Sequence, residues 1–453
     1  MHLPETTRKA RAISKKYILR SAAGTPARFG GSPMAGSPVA LAAALAFGLA
    51  AQSPAIAQGQ GQGLGQPQQV EDVLTFQAGA DLTYEDNVFL LPEGANPVGI
   101  FGDTARSDTR VDALFGVKFD RDVSLQRFTV GGRITPVKFF NYSQFDYIGY
   151  NFDANWAWAI GRPWFGTLGL NLGQVASSFS EVRQSEKNLQ RTRRIYFTGG
   201  LRLTPSWALI TGIDNTTLTN STAAQEASDQ NFTGIEAGAR YAPGTGTELA
   251  FVYRRTDGEY PNRQVVDAGG GVLGTPIDNG FVQDQFLLRA QYKPNEDARI
   301  FGEVGLTKRS FDNLQERDFS GPTARLTYEF RPGGRFFMAA DLIRDIASQE
   351  VLTANFVDTN RIALRPSFRL TGKITLNFNL SYSQLKYDGD PGFVANSAEV
   401  REDDITIIGV RADWQYARNI VFNVGFLMRE RDSNFINNRY DANSFTIGGN
   451  LSF

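Results

Sequence analysis

Residues 373–387 read KITLNFNLSYSQLKY, and their side chains sort into two sets by parity. Ile374, Leu376, Phe378, Leu380 and Tyr382 form an apolar set, and Thr375, Asn377, Asn379, Ser381 and Ser383 form a polar one. A period of two belongs to an extended strand, whose successive side chains point to opposite faces. The length matters as much as the period. Strands of soluble sheets average about 5–6 residues, whereas crossing a bilayer at a tilt takes roughly 9–11. One face of this segment suits hydrocarbon and the other suits water.

The pattern extends in both directions. In 355–370, Ile362, Leu364, Phe368 and Leu370 oppose Arg361, Arg365, Ser367 and Arg369. In 191–204, Ile195, Phe197, Leu201 and Leu203 oppose Arg194, Tyr196, Thr198, Arg202 and Thr204. Alternating segments are expected at 73–84, 107–119, 125–139, 146–160, 164–177, 191–204, 206–219, 230–241 and 247–256. They continue at 281–293, 298–311, 317–330, 335–346, 355–370, 373–387, 401–416, 419–431 and 440–453. Tight clusters such as Asp120-Arg121-Asp122, Gly161-Arg162-Pro163 and Arg331-Pro332-Gly333-Gly334 separate them on one side, and mostly longer polar loops on the other. Gly, Pro, Asn and Asp supply hairpin chemistry, and short turns facing the periplasm with longer loops outside are the asymmetry of a membrane barrel. The expected fold is therefore all-β, a transmembrane antiparallel up-and-down β-barrel of about 18 strands, with 16 as the alternative. Lipid forbids open strand edges, so the sheet must close.

The N-terminal region agrees with this destination. Basic residues run from Arg8 to Arg28, an apolar stretch follows from Val39 to Ala51, and Ala55-Ile56-Ala57 offers a small-x-small cleavage site. Residues 1–57 read as a signal peptide, because the apolar run falls well short of the roughly 20 residues of a spanning helix. Residues 58–71 are a Gly/Gln-rich flexible tether, and 72–453 form the outer-membrane barrel. The mature chain holds 39 basic and 46 acidic residues, a net charge of −7 that argues against a nucleic-acid partner. There is no cysteine, and the one histidine, His2, lies in the leader. Without His or Cys the mature chain lacks the commonest general base and the usual soft-metal ligands. No catalytic residue, cofactor or metal is expected, and an enzyme is the least favoured class.

Candidate functional residues are the charges on the polar face. They are Arg194, Arg202, Arg240, Arg254, Arg289, Arg299, Arg325, Arg361, Arg365, Arg369 and Arg411, with Glu236, Glu303, Glu329 and Asp413. Fixed charge lining a pore sets ion selectivity, and arginine favours anionic groups through its forked geometry. Arg361, Arg365 and Arg369 would form a positive row, unless nearby carboxylates cancel it. Glu402-Asp403-Asp404 reads as a solvated rim, with divalent-cation binding as the alternative. Gly269-Gly270-Gly271 opens no helix and reads as a loop.

Two terminal features suggest partners. Phe445, Ile447, Gly449, Leu451 and the final Phe453 share one parity, and this amphipathic last strand resembles the signal recognised by the barrel-assembly machinery. The stretch Gly79-Ala80-Asp81-Leu82-Thr83-Tyr84-Glu85-Asp86-Asn87-Val88-Phe89, then Leu91-Pro92, resembles the type 2 β-barrel porins, including the barrels of exopolysaccharide biosynthesis operons. The shared step is Tyr84-x-Asp86-Asn87-x-Phe89. The resemblance implies an outer-membrane pore for exopolysaccharide or its fragments, working with polysaccharide-export components among outer-membrane lipid and lipopolysaccharide. It supplies no catalytic residues. A general small-solute porin, and a barrel that anchors structural or adhesive loops, stay open beside it.

Overall fold

The computed structural model describes residues 73–180, 183–244, 246–262, 280–312, 315, 318–347, 356–388 and 400–453. The leader, the tether and the Gly269–Gly271 triplet lie outside the described residues. Eighteen antiparallel strands follow one another in chain order. The first nine are β1 (Leu74–Glu85), β2 (Asp108–Val123), β3 (Gln126–Phe139), β4 (Tyr147–Ile160), β5 (Trp164–Ala176), β6 (Leu189–Arg202), β7 (Trp207–Asn220), β8 (Gln230–Tyr241) and β9 (Glu248–Glu259). The rest are β10 (Phe281–Tyr292), β11 (Ala298–Phe311), β12 (Phe319–Phe330), β13 (Phe336–Ala347), β14 (Phe356–Arg369), β15 (Ile374–Asp388), β16 (Arg401–Ala417), β17 (Ile420–Ser433) and β18 (Tyr440–Ser452). Each pairs with its neighbours in sequence, and β1 pairs with β18, so the sheet is a closed barrel with no free edge.

The expected segments and strands agree in number and nearly in position. One turn differs. The cluster Asp120-Arg121-Asp122 is not the β2–β3 turn but the end of the ladder, with Asp120 opposite Thr129 and Asp122 opposite Arg127. Arg127 ties this end by a 2.8 Å ion pair to Asp120. The chain reverses at Ser124-Leu125 instead, where Ser124 takes φ 58°. Two-residue hairpins need such positive φ because only that twist matches the flanking strands. Cross-strand charge pairing thus outweighs the turn chemistry of the aspartates.

Facing follows parity throughout. Exposed apolar side chains such as Leu168, Phe197, Phe251, Leu306, Leu342, Ile408 and Ile447 lie on the outer parity and form a belt. Toward the short-turn end the belt closes on a girdle that includes Trp164, Trp207, Tyr292, Trp414 and Phe453, all about half exposed. Toward the long-loop end Tyr84, Tyr150, Tyr253 and Tyr382 mark the opposite edge. Aromatic rings with an apolar body and a polar tip settle at the two interfaces of a bilayer, so the belt spans hydrocarbon. The described residues contain no helix long and apolar enough to cross a membrane; the strands do the crossing. Connections of two to six residues lie on one side and of six to 22 residues on the other.

The seam between the first and last strands carries the closure. Nine residue pairs run from Gln77 opposite Ser452 to Glu85 opposite Ser444. Phe453 completes the last rung: the Phe76 N–H donates to its carbonyl at 2.6 Å, and its own N–H donates to the Phe76 carbonyl at 3.0 Å. Their rings stack with centroids 5.9 Å apart. Deleting Phe453 removes both bonds and the ring contact at a site where the orphaned backbone groups meet the membrane interface. The heat-modifiable, folded form should fall several-fold while transport across the inner membrane continues. Wild-type levels of folded barrel in the deletion strain would show that the seam closes without this rung.

Candidate pore and its lining

The predicted polar set faces the lumen, and the strand register decides which members meet. Asp214 on β7, Gly234 on β8 and Thr256 on β9 lie side by side across the wall. Arg254 reaches over Gly234 to Asp214 at 2.7 Å and also touches Glu236 at 3.4 Å. Glu236 accepts both terminal nitrogens of Arg289, at 3.1 and 3.2 Å, and the Arg289 Nε donates to Glu303 at 2.7 Å. Arg194 approaches Asp214 at 4.0 Å from the other side. The result is one ladder of alternating sign, Arg194–Asp214–Arg254–Glu236–Arg289–Glu303, spanning β6 to β11. Arg325 extends it, opposite Glu303 in register and 3.7 Å from Asp345.

Gly234 makes the ladder possible. A Cβ at that position would fall on the Arg254 guanidinium, so only glycine lets Arg254 cross β8 to reach Asp214. Arg254 and Asp214 are both buried, and a charge held out of water is tolerable only when its partner is present. Replacing Gly234 with valine, or Glu236 with glutamine, strands at least one buried arginine. Breaking such a pair from one side costs about 3–5 kcal/mol. The variants should therefore lose the folded form at clearly lower temperature, read as the temperature of conversion between compact and unfolded bands. Wild-type conversion temperatures in both would mean that the ladder contributes no net stability.

The remaining predicted residues fall into separate groups. On β14, Arg361, Arg365 and Arg369 share the lumen face, but Arg365 is paired with Asp341 of β13 at 2.6 Å. The row is a charge pattern interrupted by one carboxylate rather than a uniform positive stripe. Arg411 pairs with Asp413 at 2.6 Å, and Asn377 donates to the other oxygen of Asp413 at 2.7 Å. Arg299 and Glu329 stand opposite each other near the short-turn end. Arg202 and Arg240 both lie over the Phe165 ring, at 4.4 and 4.7 Å from its centroid, and Arg240 also meets Glu248 at 3.5 Å. The run Glu402-Asp403-Asp404 is not one cluster. Strand alternation turns Asp403 into the lumen, 2.5 Å from Arg401, and leaves its two neighbours outside.

What sequence reasoning missed lies at the long-loop mouth. The first, second and third loops (86–107, 140–146 and 177–188) fold together on an aromatic cluster. Phe89 is fully buried, stacked on Phe101 with centroids 3.5 Å apart and edged by Tyr142, Phe145 and Phe179. The Tyr142 hydroxyl donates to the Ala105 carbonyl. Burial first, and then the Asp103 and Asp108 carboxylates, push that phenol above its usual range, so it stays a neutral donor. Leu90, at φ 52°, packs on the lumen-facing Tyr440 and Ala442 of β18. Arg183 of the third loop donates to the Phe89, Leu90 and Asn437 carbonyls. The buried Arg431 of β17 holds the Ser180 carbonyl at 2.7 Å and lies 3.6 Å from Asp403. A loop that leaves the wall between β5 and β6 is thus fastened to β17, a third of the way round the ring, which places it inside the mouth. The apolar run Val88-Phe89-Leu90-Leu91, unusual in a polar loop, was the available signal.

A closed 18-stranded wall, apolar outside and charged inside, is the architecture of an outer-membrane β-barrel of porin type. An 18-stranded barrel leaves an aqueous channel once side chains are placed. No family model matches the chain, and no curated protein does. Among solved structures it is similar to OpdK of Pseudomonas aeruginosa with vanillate, at 12% identity and a TM-score of 0.43, over 84% of this chain and 99% of that one. OccK2 (OpdF) of the same organism, in complex with glucuronate, is 10% identical with a TM-score of 0.45 over 84% and 98%. OccAB3 of Acinetobacter baumannii is 9% identical with a TM-score of 0.43 over 84% and 99%. At these identities the likeness is one of barrel architecture.

Proposed function

We infer that the barrel is a passive diffusion pore for small polar solutes, saccharide fragments included. The observation that carries this reading is the pairing of a charged, sign-alternating lumen wall with a mouth narrowed by inward-folded loops. A structural or adhesive anchor would present its loops outward, whereas loops one and three are fastened to the inside of β17 and β18. The step that resembles exopolysaccharide-operon barrels has a local role here. Asn87 donates to the Leu91 and Asp441 carbonyls at 2.8 Å, Asp86 accepts from the Asn443 backbone at 2.7 Å, and Phe89 centres the aromatic cluster. These residues build the mouth, so the passage of an intact polymer finds no separate support in them. Export of exopolysaccharide remains the finer alternative. It requires the loop assembly to move aside.

Two measurements in planar bilayers test the reading. The first is size. Replacing Arg183 and Arg431 with alanine releases the third loop, so conductance should rise and larger neutral polymers should enter the lumen. An unchanged exclusion limit would mean that the mouth is set elsewhere, and a wild-type barrel without conductance would remove the pore itself. The second is charge. Changing Arg361, Arg365 and Arg369 together to glutamine should move the reversal potential towards cations, and Asp341→Asn should move it towards anions by unmasking Arg365. If neither variant moves it, with conductance intact, the β14 face lies off the permeation path.

A further inference from the structure

The outer face just beyond the apolar belt is divided by charge. From β2 to β8 the outward positions at the long-loop end carry Lys138, Arg191 and Arg193, and one carboxylate, Asp146, which stands before β4 near Lys138 and accepts from the Phe139 N–H. From β16 round to the loop after β1 they carry Glu402, Asp404, Glu430, Asp432, Asp441 and Asp86. Carboxylates even face each other there: Asp404 stands opposite Asp432, and Glu430 opposite Asp441. Like charges opposite one another destabilise a ladder, so the acidic sector is held against a cost, while Arg191 and Arg193 on β6 face only uncharged residues across the wall.

The basic sector has a definite height and geometry. Ile195 and Phe197 of β6 are exposed members of the apolar belt. Arg193 is the next outward residue above Ile195, and Arg191 follows about 7 Å further along the strand at ~3.3 Å per residue. Arg193 lies between Leu172 and Thr217 in register, is exposed, and makes no hydrogen bond or ion pair among the described residues. The Arg191 Nε donates to Gln174 at 2.7 Å, which lays that side chain along the outer wall. Gln174 is itself opposite Tyr150, one of the interfacial aromatic rings. Two guanidinium groups therefore stand immediately above hydrocarbon depth, beside rings that mark the interface, on the side of the barrel with the long loops.

We propose that this β3–β6 sector is a docking surface for lipopolysaccharide of the outer leaflet. The Arg191 and Arg193 guanidinium groups take its lipid A phosphates, and the belt below them packs on the acyl chains. The chemistry is specific to this depth: a phosphate at the top of an acyl chain meets forked donors above an apolar wall, an arrangement that arginine binds bidentately. The acidic sector repels the same headgroups, so lipid is held on one side of the barrel.

The test uses the whole barrel, extracted in mild detergent, with purified lipopolysaccharide as the probe and native mass spectrometry as the readout. The K138Q/R191Q/R193Q variant should bind on the order of a hundredfold more weakly, at about 1 kcal/mol for each of the three cations near an anionic lipid surface. R191K/R193K, which keeps the charge and loses the fork, should bind at an intermediate strength, and K308Q, a basic change elsewhere on the outer face, should match the wild type. Heat-modifiability confirms that each variant is folded. Should the triple variant not fold, lipopolysaccharide stripped of its lipid A phosphates decides the matter on the wild-type protein, where binding should fall similarly. Wild-type affinity in the folded triple variant, or equal affinity for the stripped lipid, overturns the proposal. So does equal binding of phosphatidylglycerol, which would show a general anion surface.

Discussion

Every backbone N–H and C=O of this chain that lies in hydrocarbon has to find its partner within the protein, because lipid offers none. A single open edge would leave a row of unpaired groups at several kcal/mol each. The rest of the structure follows from that requirement. It brings β1 against β18, here in antiparallel register with an even strand count, which returns both ends of the barrel to one side. It also assigns each side chain to lipid or to water by parity alone.

Closure in turn creates the lumen, and the lumen creates an electrostatic problem. A wall with many arginines is stable only where carboxylates stand within reach. The β6–β11 ladder solves this across six strands, with Glu236 serving two arginines and Gly234 leaving the space that Arg254 crosses. The arrangement fixes the signs in place, so a permeating ion meets alternating charge along that wall and a less compensated face on β14. Selectivity is then a property of local imbalance rather than of the total charge.

Most of the architecture was legible because a period of two needs no partner to be seen. Ile374 to Tyr382 announce their facing unaided, and the lumen charges follow from the same parity. Pairing was not legible. Asp214 holds Arg254 from two strands away and Asp341 holds Arg365 from the next strand, in a register that depends on turns and closure, and no local pattern reveals it. The β2–β3 turn was misplaced for a related reason: Arg127 pairs with Asp120 and draws turn-like residues into the ladder. The mouth was hidden altogether, since loop packing follows no period. Phe89, Phe101, Tyr142 and Phe179 come from three loops and meet only in the folded barrel.

The mouth has a dependency on chain order. Loop one, made early in synthesis, is held by Asp441, Tyr440 and Ala442 of β18, the last strand made. Loop three is held by Arg431 and by the carbonyl of Asn437 in the loop that joins β17 to β18. Neither can settle until the C-terminal hairpin has been laid against β1. A barrel caught before closure therefore lacks its constriction as well as its seam. The C-terminal hairpin that seals the wall is thus also the piece that seats the loops across its mouth.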